Sequence, residues 1–280
     1  MNTAEEKKAL VKEKYGQIAI QARESNQTAC CGSGCCSSEV SNIMTDDYSQ
    51  VEGYQSIGDL GLGCGLPTQF ARIKKGDVVI DLGSGAGNDC FIARAETGEA
   101  GKVIGIDFTP AMIARARENA EKLGFNNVEF RQGDIENIPI SSGVADVIVS
   151  NCVLNLVPDK NAAFREIFRV LKAGGHFSIS DVVLIGDLPE SLRNTAEMYV
   201  GCVAGALRKE VYLDIIALAG FKEVVIQKEK AITVPEDVLR NYLSSKEMAD
   251  FKKTDAGIYS ITVYAEKPNE SACCDPGCCK

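Results

Sequence analysis

The chain has 280 residues, 45% of them hydrophobic and 25% charged, and a formal net charge of −9. This length is enough for one large domain or a domain with a subdomain. The negative charge argues against a nucleic acid or an anionic membrane as the partner. No apolar run approaches the roughly 18 residues of a membrane span, and residues 1–8 lack a signal-peptide layout, so we expect a cytoplasmic protein with a monomer as the default state.

The chain contains twelve cysteines, which is many for a protein of this composition. Disulfide frameworks belong mainly to short secreted chains, and adjacent cysteines are poor disulfide partners for each other. Because thiolates bind soft metals and metalloids, paired cysteines favour a chemical role over a structural one. A four-thiolate zinc site in the N-terminal cluster is the competing interpretation. Two clusters of adjacent pairs hold eight of the twelve: Cys30, Cys31, Cys35 and Cys36, then Cys273, Cys274, Cys278 and Cys279.

The N-terminal region combines a helical pattern with a cysteine-rich loop. Residues 2–22 predict a helix, with Thr3 as N-cap and Glu6 completing a capping box. The polar residues 25–50 carry the first cysteine cluster and predict an exposed loop. A glycine-rich segment centred on Cys64 follows, and we expect it to fold over the ends of the strands.

The most informative stretch is an apolar run at residues 78–82 followed by glycines at alternate positions, Gly83, Gly85 and Gly87. A helical pattern starts near Asn88. This order is typical of a buried parallel strand, a tight turn and a helix whose N-terminal N–H groups are free to bind a ligand. The glycine spacing matches neither the dinucleotide-binding fingerprint nor the phosphate-binding P-loop.

Acidic residues close the strands around this turn. Asp81 precedes the turn, where its carboxylate would repel a pyrophosphate but suits a ligand with an ammonium group. Asp107 ends the second predicted strand, in the position that binds ribose hydroxyls. Asp134, beside the apolar Ile135, follows the third strand and could hold an adenine. Together these residues predict a site for S-adenosylmethionine.

The remaining pattern alternates strands and helices, which predicts a doubly wound, Rossmann-like α/β fold. We expect a seven-stranded, mostly parallel sheet with an antiparallel last strand. The predicted strands are 78–82, 103–107, 128–132, 146–150, 176–181, 221–227 and 257–266, and the later helices are 88–96, 111–123, 160–171, 188–208 and 209–219. The predicted regions are an N-terminal helix and loop (1–75), a cofactor-binding core (76–182), a substrate-binding subdomain with the remaining strands (183–268) and a flexible tail (269–280).

Three segments resemble signatures of the arsenite S-adenosylmethionine methyltransferases. They are Asp-Leu-Gly-Ser-Gly at 81–85, Ser-Asn-Cys-Val-Leu-Asn-Leu-Val-Pro-Asp-Lys at 150–160 and Cys-Val-Ala-Gly-Ala-Leu at 202–207. The first is shared by many methyltransferases, whereas the other two, together with Cys64 in its Gly-Cys-Gly setting, are more specific. The resemblance extends over residues 15–268.

The resemblance implies that trivalent arsenic, as arsenite or a thiol conjugate, is held by thiolates and methylated by S-adenosylmethionine. Cys152 and Cys202 correspond to the family's two persistent arsenic ligands. Cys64 corresponds to a third, which can form a disulfide with a cysteine of the N-terminal loop, here one of the four in the first cluster. The candidate cofactor contacts are Asp81, Gly83, Ser84, Gly85, Gly87, Asp107, Phe108, Asp134, Ile135 and Asn151.

The resemblance also implies a thiol reductant of the glutathione or thioredoxin type. The chain departs from animal and algal relatives, which have a tyrosine two residues before the cysteine matching Cys64, because Leu62 stands there. The C-terminal cysteine cluster is absent from many relatives. We interpret it as a capture site that hands arsenic to the active site, with surplus-metal binding as the alternative.

The residues themselves are consistent with arsenic chemistry. Trivalent arsenic is soft and prefers thiolate sulfur, and its lone pair can attack a methyl carbon without loss of a proton. Alignment of the reacting atoms, and not a general base, is therefore the expected task of the enzyme. His176, the only histidine, starts a predicted strand and suits a core or surface role. Cys90, within a helical pattern, suits a buried packing role.

Two other functions fit part of the pattern. The first is a methyltransferase acting on a carbon or oxygen atom of a small organic molecule, with the cysteines serving a metal. It would need a base or an acidic substrate, and the lack of a catalytic histidine counts against it. The second is a non-enzymatic metalloid-binding thiol protein on a methyltransferase fold. The acids at the strand ends count against that alternative, because a pure binding protein would not need them.

Overall fold

The computed structural model describes residues 3–20, 46–186, 205–233, 240, 243–251, 254 and 256–269. The helices are α1 (Ala4–Ala19), α2 (Pro67–Phe70), α3 (Asn88–Thr97), α4 (Pro110–Leu123), α5 (Lys160–Val170), α6 (Lys209–Leu218) and α7 (Ser245–Phe251). The strands are β1 (Val78–Leu82), β2 (Lys102–Asp107), β3 (Val128–Gln132), β4 (Ala145–Asn151), β5 (Leu171–Ile185), β6 (Lys222–Ile232) and β7 (Gly257–Glu266).

The strands form one sheet in the order β3-β2-β1-β4-β5-β7-β6. Strands β1 to β5 pair in parallel, whereas β7 lies between β5 and β6 and is antiparallel to both. The predicted α/β fold with an antiparallel last strand is confirmed. Because the strand order reverses between β1 and β4, their carboxyl ends open the crevice in which such sheets bind ligands.

Strand β1 lies at the centre of the sheet because its side chains are apolar on both faces. Val79 packs on one face with Phe91 and Ala116, from α3 and α4. Ile80 packs on the other face with Phe164, from α5. Successive side chains of a strand point to opposite faces, so a continuous apolar run suits a strand covered by helices on both sides.

Helix α1 begins at the predicted capping box. The Thr3 hydroxyl accepts the Glu6 N–H at 3.2 Å, and the Glu6 carboxylate accepts the Thr3 N–H at 2.8 Å. The helix packs Ile18 against Leu60 and Met112, so it lies beside the glycine turn of the core. None of the helices in the described part of the chain is long and apolar enough to cross a membrane.

Among the predicted strands and the later helices, three elements differ from the structure by more than one or two residues. Strand β6 was expected over residues 221–227 but runs from Lys222 to Ile232, because its end also pairs with β7. Strand β5 was expected over residues 176–181 but runs from Leu171 to Ile185, because its far end pairs with β7, where Ile185 lies opposite Gly257. The helix predicted over 188–208 falls mostly outside the described residues. At its end Arg208 forms a bridge with Leu184, whose N–H donates to the Leu207 carbonyl, so the helical prediction is wrong there.

Candidate active site

The glycine turn after β1 is held against the end of β2. The N–H groups of Gly83 and Ser84 both donate to the Ile106 carbonyl, at 2.7 and 3.0 Å. Gly83, Gly85 and Gly87 have positive φ angles of 75°, 51° and 102°, which favour glycine. A Cβ on Gly85 would meet no atom within 4 Å, so this part of the turn borders open space.

Asp107, at the carboxyl end of β2, fixes the far side of the same turn. Its carboxylate accepts the N–H of Gly85 at 3.0 Å and the N–H of Thr109 at 2.8 Å. Burial raises its pKa, although these hydrogen bonds oppose the increase. Asp107 therefore lies at the end of β2 and beside the glycine turn.

An open cleft lies along the carboxyl ends of β1, β2 and β4, with about 860 Å³ of empty space including its opening to solvent. Among the described residues, its walls contain no lysine, arginine or histidine, but they contain four carboxylates. The predicted residues that line it are Asp81, Gly83, Ser84, Gly85, Asp107, Phe108, Ile135, Asn151 and Cys152, and the other two carboxylates are Asp59 and Asp89. Such a cleft attracts a cationic ligand.

The buried carboxylates of the cleft are costly to ionise. Burial raises the pKa of Asp81 well above its usual range, and the nearby charge of Asp89 raises it further. Burial likewise raises the pKa of Asp89 to about 6. Because desolvation and like charges disfavour ionisation, a bound cation would lower both pKa values.

Two buried polar atoms in the walls also lack a partner among the described residues. Ser84 Oγ and Asn88 Oδ1 are buried and make no hydrogen bond within the described structure. Both residues line the cleft. Buried polar atoms normally find a partner, so these two are suited to a polar ligand. The acids, the orphaned oxygens and the open side of Gly85 fit the ammonium, hydroxyl and sulfonium groups of S-adenosylmethionine.

Ile135, which was expected near an adenine, lies with the cofactor candidate Phe108 where the cleft adjoins a second recess. Both residues line the cleft and this apolar recess. Asp134 lines only the recess, where its carboxylate accepts a hydrogen bond from the Lys8 ammonium of α1 at 2.6 Å. Lys8 also forms an ion pair with Glu136. These two ion pairs hold α1 against the loop after β3.

Gly87 does not line the cleft, unlike the other predicted residues of the turn. It is the N-cap of α3, with a left-handed backbone. A Cβ there would lie 2.7 Å from the Phe91 ring, so glycine is required for helix packing at this position.

Cys64 and Cys152 are joined by a disulfide beside the cleft, with their Cα atoms 5.7 Å apart. Both residues are buried. Cys152 directly follows β4 and has a positive φ of 58°, a conformation that non-glycine residues rarely adopt. Its N–H donates to the Ser180 carbonyl at 2.8 Å, which fixes it against β5.

Gly63, Cys64 and Gly65, here termed the Gly-Cys-Gly loop, pack without space for larger residues. A Cβ on Gly63 would lie 2.7 Å from Asn151 Nδ2, and one on Gly65 would lie 2.5 Å from Ser180 Oγ. The Cys64 N–H donates to Asn151 Oδ1 at 3.0 Å, and Ser260 Oγ donates to the Cys64 carbonyl at 2.6 Å. The loop is thus fixed on the ends of β4, β5 and β7.

The observed disulfide differs from the implied one, which paired Cys64 with an N-terminal cysteine. In this structure the partner of Cys64 is Cys152, because the Gly-Cys-Gly loop lies directly against the end of β4. The four N-terminal candidates lie outside the described residues, as do Cys202 and the C-terminal cysteine cluster.

The two other residues considered in the sequence have structural partners. His176 Nε2 lies 2.6 Å from the Ala71 carbonyl, so this ring is engaged with the backbone. Cys90 is buried and donates from Sγ to the Asp81 carboxylate at 3.3 Å. Burial raises the pKa of the Cys90 thiol well above its usual range.

Three residues that line the cleft, Tyr48, Asp59 and Asp89, were not predicted from the sequence. Asp89 sits in the first turn of α3, directly after the glycine motif, and that position was a usable signal because helix N-termini favour carboxylates. Tyr48 lies 41 residues before Asp89, and nothing local in the sequence marks it.

Comparison with known proteins identifies the family. A family model described as a methyltransferase domain matches residues 73–231. An arsenite methyltransferase of Halobacterium salinarum is 39% identical, over 94% of this chain and 67% of its own length. An arsenite methyltransferase of Aquipseudomonas alcaligenes is 32% identical, over 94% of this chain and 73% of its own length.

A solved structure supports the same assignment. The crystal structure of an arsenic(III) S-adenosylmethionine methyltransferase from Chlamydomonas reinhardtii superimposes with a TM-score of 0.64, at 31% identity. The superposition covers 82% of this chain and 74% of the algal one. From the sequence matches and this shared fold, the chain belongs to the arsenite methyltransferase family.

Proposed function

We propose that this protein transfers methyl groups from S-adenosylmethionine to trivalent arsenic held by its cysteine thiolates. The observation that carries the proposal is the meeting of two buried cysteines from different loops, Cys64 and Cys152, at the wall of an acid-lined cleft. Membership of the arsenite methyltransferase family supports the same chemistry.

The cofactor would occupy the cleft between the glycine turn and Asn151. Asp107 would bind the ribose, and Phe108 and Ile135 would enclose the adenine, with Asp134 at its edge. Asp81 and Asp89 supply negative charge toward the ammonium end. When bound, the cofactor supplies a methyl group activated by a positively charged sulfur.

The arsenic ligands are proposed to be Cys64, Cys152 and Cys202. Three thiolates satisfy the soft trivalent arsenic and leave its lone pair directed away from the sulfurs. The chain's task is then to hold the arsenic in line with the methyl group, and no side chain has to remove a proton. The engagement of His176 with a backbone carbonyl is consistent with a reaction that needs no histidine base.

A reduction must precede arsenic binding in the form described here. Cys64 and Cys152 share a disulfide, and a disulfide sulfur offers no thiolate to a metalloid. Two thiols of glutathione, or one dithiol of the thioredoxin type, would supply two electrons and two protons and would become a disulfide themselves. The proposed function therefore includes a thiol reductant as a partner.

The remaining regional roles follow from the sequence. We propose the N-terminal cysteines as relay or disulfide partners and the C-terminal cysteines as a capture site for arsenic. The proposed division of the chain remains the N-terminal region 1–75, the cofactor core 76–182, the substrate-binding region 183–268 and the tail 269–280. A cytoplasmic monomer is the proposed state.

The decisive experiment follows radiolabelled methyl groups from S-adenosylmethionine to arsenite in the presence of a thiol. The wild type is compared with Cys64→Ser, Cys152→Ser and Cys202→Ser. We expect turnover by the wild type and a loss of about 100-fold or more in Cys152→Ser and Cys202→Ser, because misplacement of a reacting atom is costly.

Cofactor binding, measured by calorimetry, is the control for each variant. It should stay close to the wild-type value, because the three cysteines are proposed to hold arsenic and not the cofactor. Full activity of Cys152→Ser and Cys202→Ser would contradict the ligand assignment. A wild type that binds the cofactor but methylates no arsenic would favour a small organic substrate or a non-enzymatic metalloid-binding role.

A further inference from the structure

Tyr48 connects the acid-lined cleft to the Gly-Cys-Gly loop. Its hydroxyl lies 3.2 Å from both carboxylate oxygens of Asp89, which lines the cleft, and 2.9 Å from the carbonyl of Gly65. Gly65 is covalently bonded to Cys64. One hydroxyl therefore bridges a cofactor-facing acid and the backbone beside a proposed arsenic ligand.

Asn151 forms a second bridge between the same two places. Its amide nitrogen, which carries two N–H groups, lies within donating distance of three acceptors: the Tyr48 hydroxyl, the Gly65 carbonyl at 2.8 Å and Asp89 at 3.3 Å. Its amide oxygen accepts the Cys64 N–H at 3.0 Å. Tyr48 and Asn151 thus share their partners, and a displacement of either changes the position of the loop.

The Tyr48 hydroxyl carries one proton but faces two acceptors. Burial and the charge of Asp89 raise the pKa of Tyr48 well above its usual range, so the hydroxyl stays protonated. Its proton can satisfy either Asp89 or the Gly65 carbonyl at a given moment. A cation paired with Asp89 would draw charge from its oxygens and weaken them as acceptors, which would shift the Tyr48 proton toward the Gly65 carbonyl.

We infer that Tyr48 is a positioning residue that couples cofactor binding to the placement of Cys64. When no cation lies beside Asp89, the Tyr48 proton is shared between Asp89 and Gly65. With a cationic cofactor beside Asp89, the proton is committed to Gly65, which fixes the Gly-Cys-Gly loop for methyl transfer. The coupling rests on the proposed function in that the cleft must bind S-adenosylmethionine.

The ring of Tyr48 has a separate packing role, which allows a clean variant. The ring packs with Leu66 and Ile92 and stacks on Tyr54 with ring centroids 6.5 Å apart. Tyr48→Phe keeps these contacts and removes only the hydroxyl. Gly65 retains its hydrogen bond from Asn151, so no buried carbonyl is left unpaired.

The test measures Cys64 reactivity without arsenic. Fully reduced protein is alkylated with iodoacetamide under anaerobic conditions, with and without saturating S-adenosylmethionine, and the Cys64 peptide is quantified by mass spectrometry. We expect the cofactor to slow Cys64 alkylation by at least about fivefold in the wild type, the lower end of ordinary coupling between sites. In Tyr48→Phe the protection should fall below about twofold at saturation confirmed by calorimetry.

Tyr264→Phe is the matched control. Tyr264 also loses a hydroxyl, but that hydroxyl bonds Glu266 on β7, and Tyr264 does not line the cleft. This variant should show wild-type protection. Retained protection in Tyr48→Phe, or no protection in the wild type, would overturn the coupling.

The outcome separates this inference from the proposed function. Protection that depends on Tyr48, in a protein that methylates no arsenic, would support the coupling and refute arsenite methylation. Arsenic methylation by a wild type whose Cys64 is not protected would support arsenite methylation and refute the coupling. Failure of the wild type to bind S-adenosylmethionine would overturn both.

Discussion

The glycine turn after β1 and the Gly-Cys-Gly loop are both rich in glycine, but Gly85 of the turn and Gly65 of the loop serve opposite purposes. In the turn, Gly85 has a left-handed backbone and an added Cβ would meet nothing within 4 Å. In the loop, an added Cβ on Gly65 would lie 2.5 Å from Ser180 Oγ. The first glycine leaves space for a ligand, and the second lets two parts of the protein touch. Glycine content alone therefore does not mark a binding site.

The largest expected effect comes from Gly65→Ala, compared with Gly85→Ala. The added methyl at Gly65 collides with Ser180, so we expect a loss of about 1–3 kcal/mol of stability from overpacking. Displacement of Cys64 should lower arsenite methylation about 100-fold, while cofactor affinity is largely kept. Gly85→Ala should cost about 1 kcal/mol for its left-handed backbone and should weaken cofactor binding instead. Thermal unfolding measures the stability, calorimetry measures the cofactor affinity, and turnover measures arsenite methylation.

A second substitution checks the cause of the Gly65→Ala effect. Ser180→Gly removes the atoms that the new methyl would meet, so the double variant should recover part of the lost stability. Strictly additive effects of the two substitutions would show that the collision is not the reason. Equal losses of cofactor affinity in Gly65→Ala and Gly85→Ala would remove the distinction between the two regions.

The next effect concerns the charge of the cleft, through Asp89→Asn. We expect cofactor affinity to fall about tenfold, because a carboxylate facing a cation is lost. In the wild type, cofactor affinity should be full above pH 6 and should decrease as Asp89 takes up a proton below its pKa of about 6. This decrease should be weaker in the variant. Calorimetry between pH 5 and pH 8 measures the cofactor affinity and its pH dependence in the wild type and in the variant.

Asp89→Asn should also stabilise the cofactor-free protein against unfolding at neutral pH. Burial raises the pKa of Asp89 from 3.8 to about 6, so folding favours the neutral carboxyl. Its contribution to stability is fully present below pH 3.8 and is lost as the pH rises through 6. The charges facing Asp89 are the carboxylates of Asp59 and Asp81, and Tyr48 and Asn151 donate to it. A less stable Asp89→Asn at pH 8 would contradict this account.

The smallest effect is expected at the rim of the cleft, from Lys8→Met. Lys8 joins α1 to Asp134 and Glu136, but its side chain is 32% exposed, so the ion pairs contribute less than about 1 kcal/mol. Since Val11 and Tyr15 of α1 line the cleft, the cofactor should dissociate faster, by less than about fivefold. Stopped-flow measurements should find that salt accelerates dissociation from the wild type only. Identical salt dependence in both proteins would rule out this role for Lys8.

The core strands were predictable because their signals are local. Strands β1 and β3 and the last strand β7 were predicted with their observed bounds, since each is a run of apolar or alternating residues between clear breaks. Strand β5 was predicted too short. Its extension to Ile185 depends on pairing with β7, more than 70 residues later in the chain. No local sequence pattern predicts such a long-range pairing.

The candidate site also has one part that the local sequence predicts and another part that depends on long-range contacts. The sequence by itself determined the acids and glycines at the carboxyl ends of β1 and β2, because that motif and its strand lie together in the chain. Only the tertiary structure decided that Tyr48 reaches Asp89 and Asn151. It also decided that Cys64 bonds to Cys152, 88 residues away. The physical reason is close packing: which distant residues touch depends on how loops fit the ends of the sheet, and that fit is a property of the whole fold.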